Sequence, residues 1–230
     1  MSINLRSDKY KYLYKDAYFQ NRNLNDKNRL KSFDQEKKFI YKYIKQGLVC
    51  DVGCSTGEFL DYVDWNGDKY GMEISKSAKK IAKTSGISFK KDILNQTNFF
   101  DIVIFRGTIQ HLANPFSYIQ HAYNSLKPGG YIVFLATPNS NSLFYKIFNN
   151  LPVLKSEYNF YIPSDITLSN ILVNNGFEVL EVEKPYLKSP YANYFSDHLK
   201  FIKKLIFRTN DAFAFWNSSM NVIAQKAAEK

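Results

Sequence analysis

The stretch LVCDVGCSTGEFLDYV, residues 48–63, constrains this chain more than any other. Leu48, Val49 and Val52 form a short apolar run suited to a strand covered on both faces, with the acid Asp51 near its end. Gly53-Cys54-Ser55-Thr56-Gly57 follows, three small residues flanked by two glycines, so a ligand can approach the backbone closely. Phe59, Leu60 and Val63 are then interspersed with Glu58, Asp61 and Asp64 as in an amphipathic helix. A strand, loop and helix in this order point the unpaired N–H groups of the first helical turn into the loop, where a polar ligand is expected.

Three chemistries use such a loop. A dinucleotide fingerprint needs Gly at positions 55 and 58, where this chain has Ser55 and Glu58, and Glu58 would repel a pyrophosphate. GCSTG also fits the G-x-S-x-G nucleophile elbow, with Ser55 as nucleophile. A hydrolase sheet, however, needs several strands before its elbow, and the 47 residues upstream are charged and helix-like. The third is a site for S-adenosylmethionine (SAM), in which Asp51 and the open turn face the amino-acid end of a cofactor carrying a sulfonium and an ammonium. In Asp51, Gly53 and Gly57 the chain resembles the class I SAM-dependent methyltransferases, whose first motif reads roughly D-x-G-x-G-x-G; Ser55 replaces the middle glycine.

The flanking chain extends this resemblance. Ser32 with Gln35 three residues on reads as a capping box, Phe33, Ile40, Tyr43 and Ile44 as the apolar face of a helix, and Gly47 as its stop. DKYGMEI, residues 68–74, reads as a second strand ending in Glu73, where one carboxylate can accept from both hydroxyls of a ribose. Residues 77–85 make a short basic helix and 87–90 a third strand, followed by Asp92 and Ile93; in the family an acid here accepts from the adenine amino group and a neighbouring N–H meets the ring. FDIVIF, residues 100–105, is the central fourth strand, and RGTIQHLANPF carries Arg106 and His111 into the crevice beyond its end. A helix over 115–126, a Lys127-Pro128-Gly129-Gly130 turn and a fifth strand over 131–136 follow; LKPGGYIVFLATPN is among the most recognisable strings of the superfamily. An amphipathic helix at 141–150, a capped helix at 164–175 closed by Gly176, a sixth strand at 177–183 and a last strand at 220–225 complete the pattern.

The resemblance therefore implies an α/β, Rossmann-like class I methyltransferase fold: a seven-stranded, mostly parallel sheet with helices on both faces, its last strand antiparallel and inserted between the fifth and sixth. Residues 1–46 form an arm and helix covering the active site, and 47–230 the SAM-binding domain, with substrate-covering insertions at 139–163 and 184–208. The cofactor contacts it implies are Asp51, Gly53, Cys54, Ser55, Gly57, Glu73, Ile74, Asp92, Ile93 and Arg106.

Composition sharpens the partner classes. With 230 residues, 45% of them hydrophobic, the chain suits one well-buried α/β domain with decorations. Cys50 lies in the strand and Cys54 in the turn four residues on, too far apart for a local disulfide, and with no other thiols no metal site is expected. A charged N-terminus without a signal-like segment and the lack of an 18-residue apolar run predict a cytoplasmic protein. The net charge of +10 is uneven: residues 1–46 hold 12 basic and 5 acidic side chains, 47–183 hold 11 and 13, and 184–208 hold 6 and 1. Positive charge on the covering elements would attract an anionic substrate or a membrane surface.

Methyl transfer is an in-line displacement at a sulfonium carbon, so an enzyme mainly positions the acceptor; a hydroxyl acceptor also needs its proton removed. His111 in the crevice segment is the first candidate base and His198, beside Asp197, the second, while His121 inside a helix reads as structural. Neither the Asn/Asp-Pro-Pro-aromatic run of nucleic-acid amino-methyltransferases nor the Pro-Cys of base C5-methylating enzymes is present, which argues against a nucleic-acid acceptor. Tyr-, Asn- and Lys-rich covering segments suit a saccharide, nucleotide-activated or lipid-linked, as in surface-polysaccharide assembly. Two other readings are a phenol methyltransferase of lipid-quinone type and a non-catalytic module of SAM-like fold. For the latter, Leu199–Phe207 (LKFIKKLIF) would be a basic amphipathic helix contacting anionic lipid.

Overall fold

A computed structural model describes residues 26–151, 159–211 and 213–228. The tyrosine-rich arm and part of the insertion at 139–163 lie outside the described residues. Helices α1 (Lys27–Ile40), α2 (Glu58–Tyr62), α3 (Lys76–Thr84), α4 (Pro115–Ser125), α5 (Leu143–Phe148), α6 (Asp165–Asn174) and α7 (Tyr194–Phe207) surround a seven-stranded sheet. Its strands are β1 (Val49–Val52), β2 (Lys69–Met72), β3 (Ile87–Ser88), β4 (Phe100–Arg106), β5 (Leu126–Pro138), β6 (Phe177–Glu183) and β7 (Ser219–Lys226), in the order β3-β2-β1-β4-β5-β7-β6. β1 pairs in parallel with both β2 and β4, and β7 lies antiparallel between β5 and β6. This is the expected Rossmann-like arrangement, including the place and direction of the last strand.

Burial on both faces explains why the central strands read as continuous apolar runs. Ile102, Val103, Ile104 and Phe105 of β4 have no exposed surface, each such side chain stabilising the fold by about 1.5–3 kcal/mol. Alternate residues feed two cores: Val103 and Phe105 pack with Ile119 and Ala122 of α4 and Leu168 and Leu172 of α6, whereas Ile102 and Ile104 pack with Phe33, Phe39 and Ile40 of α1 and Phe59 and Leu60 of α2. A third, aromatic cluster of Phe144, Leu151, Phe213 and Phe215 joins α5 to the segment before β7.

Several boundaries differ from the sequence expectation. α1 starts at the Asp26 cap, whose carboxylate accepts from Asn28 N–H at 2.9 Å, and it ends at Ile40 rather than running to Gly47. Ser32 lies mid-helix, its hydroxyl donating back to the Arg29 carbonyl, so the Ser32–Gln35 capping box does not form; Gln35 instead donates to the carbonyl of Lys188. Lys127-Pro128-Gly129-Gly130 is not a separate turn but the bulged start of β5, where Leu126 is already in register with Phe100 and Gln225 donates to the Gly129 carbonyl at 2.8 Å. β2 ends at Met72, which leaves Glu73 just beyond the strand and free to turn its carboxylate back toward the glycine loop.

Gly71 in β2 lets the glycine loop fold down on the sheet. A Cβ there would lie 2.6 Å from Cys54 Sγ and 2.9 Å from Ile87 Cγ2. Gly71→Ala should therefore lower stability by about 1–3 kcal/mol through overpacking, seen as a lower midpoint in thermal or urea unfolding.

Candidate active site

The site lies outside the C-terminal ends of β1, β2 and β4, where the strand order reverses and the chain leaves neighbouring strands toward opposite faces. A cleft of about 350 Å³ opens there, walled by Gly53 and Ser55 of the loop, Glu73 and Ile74 after β2, Asp92 after β3, Arg106 at the end of β4, and Thr108 and His111 after it. Gly53 has φ +78°, and a Cβ on it would sit 2.6 Å from the Thr108 side chain. The two loops thus approach to a distance that only glycine permits.

Glu73 organises the loop. Its carboxylate accepts from Ser55 N–H at 3.0 Å on one oxygen, and from Ile74 and Ser75 N–H at 2.7 and 2.8 Å on the other. These bonds leave one carboxylate oxygen with room for a further donor, so in this conformation Glu73 offers a single acceptor position rather than the fork expected for two ribose hydroxyls. Asp92, at φ +51°, is exposed at the lip of the cleft, whereas the Ile93 side chain is buried in the core and does not line it. Gly57 does not line it either: a Cβ there would meet Ile87 at 2.6 Å and Ala82 at 3.3 Å, so this glycine serves the packing of loop against α3.

Behind the loop is a second, smaller recess bounded by Asp51, Cys54, Ser55, Glu58, Arg29, Phe33 and Arg106. Asp51 is fully enclosed, and burial pushes its carboxyl up to about 7; Arg106 pulls it down, and the negative charges of Glu73 and Glu36 raise it again. Among the described residues its Oδ1 has no hydrogen-bond partner. Burial also raises the thiols of Cys50 and Cys54, so neither is a reactive thiolate. Arg106 is clamped by Glu36 of α1, with Nε to Oε2 at 2.6 Å and a second bond at 3.2 Å, and its guanidinium lies 4.4 Å from the Phe33 ring centre. Arg29, two turns earlier on α1, pairs with Glu58 at 2.6 Å.

Arg29, Glu36 and Thr108 were not singled out by the sequence reading, which used Glu58 only against a pyrophosphate ligand. Glu36 carried a usable signal: it falls on the same helical face as Phe33 and Ile40, and a charge inside an apolar stripe needs a buried partner. His198, the second candidate base, does not reach the cleft. Its Nε2 accepts from Trp216 Nε1 at 3.2 Å and its Nδ1 is 2.6 Å from the Tyr194 carbonyl, so both ring nitrogens are engaged within α7 and the aromatic cluster. Sequence adjacency to Asp197 did not help, because that carboxylate turns inward to Tyr186 OH and Asn193 N–H.

A family model described as a methyltransferase domain matches residues 20–182. The chain belongs to this methyltransferase family. It is 29% identical over 122 residues to the ubiquinone biosynthesis O-methyltransferase of Thiobacillus denitrificans, covering 48% of this chain and 50% of that one. It is 24% identical over 147 residues to the tRNA U34 carboxymethyltransferase of Desulfotalea psychrophila, covering 58% and 46%. The chain thus spans about half the length of these curated relatives. Among solved structures, a SAM-dependent methyltransferase from Archaeoglobus fulgidus superposes with a TM-score of 0.62 at 18% identity, covering 92% of this chain and 100% of that one. That likeness concerns the fold.

The cofactor of this methyltransferase domain is SAM. The residues present fit it: an orphaned buried carboxylate oxygen on Asp51 suits a cationic amino-acid end, and the Gly53 approach keeps the cleft floor clear of side chains. Glu73 and Asp92 would take the ribose and adenine, and bound SAM supplies a methyl group already activated on sulfur.

Two outcomes are expected. Asp51 must be ionised to favour a nearby cation, and its carboxyl is held near 7, so SAM affinity should rise with pH between about 6 and 8 and fall as the acid is protonated. Titration calorimetry across that range on Asp51→Asn should show weaker and flatter binding; an unchanged pH dependence would place the titrating group elsewhere. Glu73→Ala should weaken SAM binding by about 1.5–3 kcal/mol while the fold survives, and wild-type affinity would remove Glu73 from the site.

Proposed function

We propose that this domain methylates a hydroxyl group of a saccharide, carried on a nucleotide or a lipid as in surface-polysaccharide assembly, with His111 as general base. The observation that carries the reading is His111 itself, which lines the cleft shared by Gly53, Glu73 and Asp92 on the 3₁₀ turn directly after β4. Gln110 Nε2 donates to the Gly107 carbonyl at 3.0 Å and lies 3.2 Å from His111 Nε2. With the amide as donor, the Nε2 lone pair is engaged by Gln110 and must exchange that bond for the acceptor hydroxyl before it takes the proton.

Lys79, Lys90, Lys91 and Arg106 at the cleft walls, together with the basic covering segments, support an acceptor bearing negative charge such as a phosphorylated sugar. A nucleotide-linked acceptor would place the reaction in the cytoplasm. Among the described residues no helix is long and apolar enough to cross a membrane. A second reading, a phenolic acceptor of the lipid-quinone kind, is favoured by the name of the Thiobacillus relative. Both need the same base, since each removes a hydroxyl proton as the methyl group arrives.

Incubation with methyl-labelled SAM and separate pools of nucleotide sugars, lipid-linked sugars and quinone-precursor phenols should label a sugar pool; label confined to the phenols selects the second reading. On that acceptor, His111→Ala should leave SAM affinity nearly intact and lower kcat about 10²–10⁴-fold. Activity should also fall as pH drops through the imidazole titration, because only the neutral ring accepts a proton. A raised SAM dissociation constant with little change in kcat would assign His111 to cofactor packing instead.

A further inference from the structure

Helix α7 has one face bound to the domain and one face that nothing in the described chain covers. On the bound face, Asp197 is 2% exposed, Phe201 stacks on Phe215 with ring centres 4.3 Å apart, and Lys204 lies over the rings of Phe144 and Phe148. On the opposite face Phe195, Leu199, Ile202 and Ile206 recur at i, i+4, i+7 and i+11 and are 79%, 68%, 53% and 63% exposed. Four large apolar side chains in one helical line, all turned to solvent, are unusual in a monomer and mark an interaction surface.

Charge identifies the occupant. Residues 184–208 carry six basic side chains and one acidic one, and that acid, Asp197, is buried against Tyr186 and Asn193. The exposed side of this segment therefore offers no negative charge, and exposed Lys203 and half-buried Lys200 run along one side of the apolar line. A second copy of the chain would bring these lysines together across the apolar line with no acid to offset them. An anionic bilayer meets both features at once, with acyl chains for the apolar line and headgroups for the lysines. At 14 residues the helix is about 21 Å long, so it would lie in the interface rather than cross it.

The helix also stands at the catalytic edge. β6 is antiparallel to β7, which is antiparallel to β5, so β6 ends at Glu183 on the same side of the sheet as Arg106 and the cleft. The connection from there to α7 passes α1, where Gln35 donates to the Lys188 carbonyl one residue from Glu36, the partner of Arg106. We infer that α7 docks this domain on an anionic membrane surface and so brings the cleft to an acceptor carried by a lipid. The docking stands on α7 alone; the lipid-borne acceptor rests on the hydroxyl-methylation reading above.

The test is co-sedimentation of the full chain with vesicles of pure phosphatidylcholine and of equimolar phosphatidylcholine and phosphatidylglycerol, with no acceptor or turnover involved. The wild type should bind the anionic vesicles and not the neutral ones. Lys200→Glu with Lys203→Glu should weaken partitioning about tenfold or more, and Leu199→Ser with Ile202→Ser and Ile206→Ser should abolish it, with SAM affinity unchanged as proof of folding. Failure to bind either vesicle, or equal binding to both, overturns the proposal. So does a dimer in sedimentation velocity that the serine variant dissociates without any vesicle binding, since the line would then hold a second copy. Vesicle binding without sugar labelling would keep the docking and sink only the acceptor reading.

Discussion

Parallel pairing of β1 with β2 on one side and β4 on the other is the constraint from which the rest of this structure follows. It forces the chain to leave adjacent strands toward opposite faces and so opens a crevice at one edge of the sheet. Every polar group at that edge must find a partner there, because water is excluded from the layer beneath. Glu73 answers this for three backbone N–H groups, which holds the loop between β1 and α2 open without a ligand. Asp51 is left, among the described residues, with an unpaired oxygen in the interior, a group that a cation in the recess behind the loop would satisfy.

The Arg106–Glu36 pair shows how that edge is closed from outside the sheet. Both side chains are mostly buried, at 17% and 6% exposed, so assembling the pair adds little net stability while removing either partner would cost about 3–5 kcal/mol. Its effect is therefore one of geometry. It fixes α1 against the end of β4, and it holds a positive charge near Asp51 that offsets part of the burial penalty on that carboxyl. Phe33 and Phe59 shield the guanidinium from solvent, which strengthens both interactions.

The C-terminal decoration follows a different rule. The aromatic cluster of Phe144, Phe201, Phe213 and Phe215 anchors α5 and α7 outside the main sheet, holding Lys204 through cation–π contacts and His198 through a hydrogen bond from Trp216. What reaches solvent on α7 is then mostly apolar, the reverse of an ordinary surface helix.

The sequence by itself determined the order of elements, the doubly wound sheet, the antiparallel last strand and the cluster of Gly53, Ser55, Glu73 and Asp92 at one edge. The order of elements rests on periodicity and turn chemistry, which act over a few residues; the sheet order, the direction of the last strand and the grouping of the cofactor residues follow from the resemblance of these motifs to the class I SAM-dependent methyltransferases. Tertiary structure alone decided the start of α1, because Asp26 and Ser32 are both adequate caps and only packing of Phe33, Phe39 and Ile40 selects between them. It also drew Leu126 to Gly130 into β5, turned both oxygens of Glu73 to backbone donors, and took His198 out of the cleft. The Arg106–Glu36 pair joins residues 70 positions apart. No local pattern encodes such a contact, because it arises only when a helix and a strand end, each formed for its own reasons, are pressed together by the core between them.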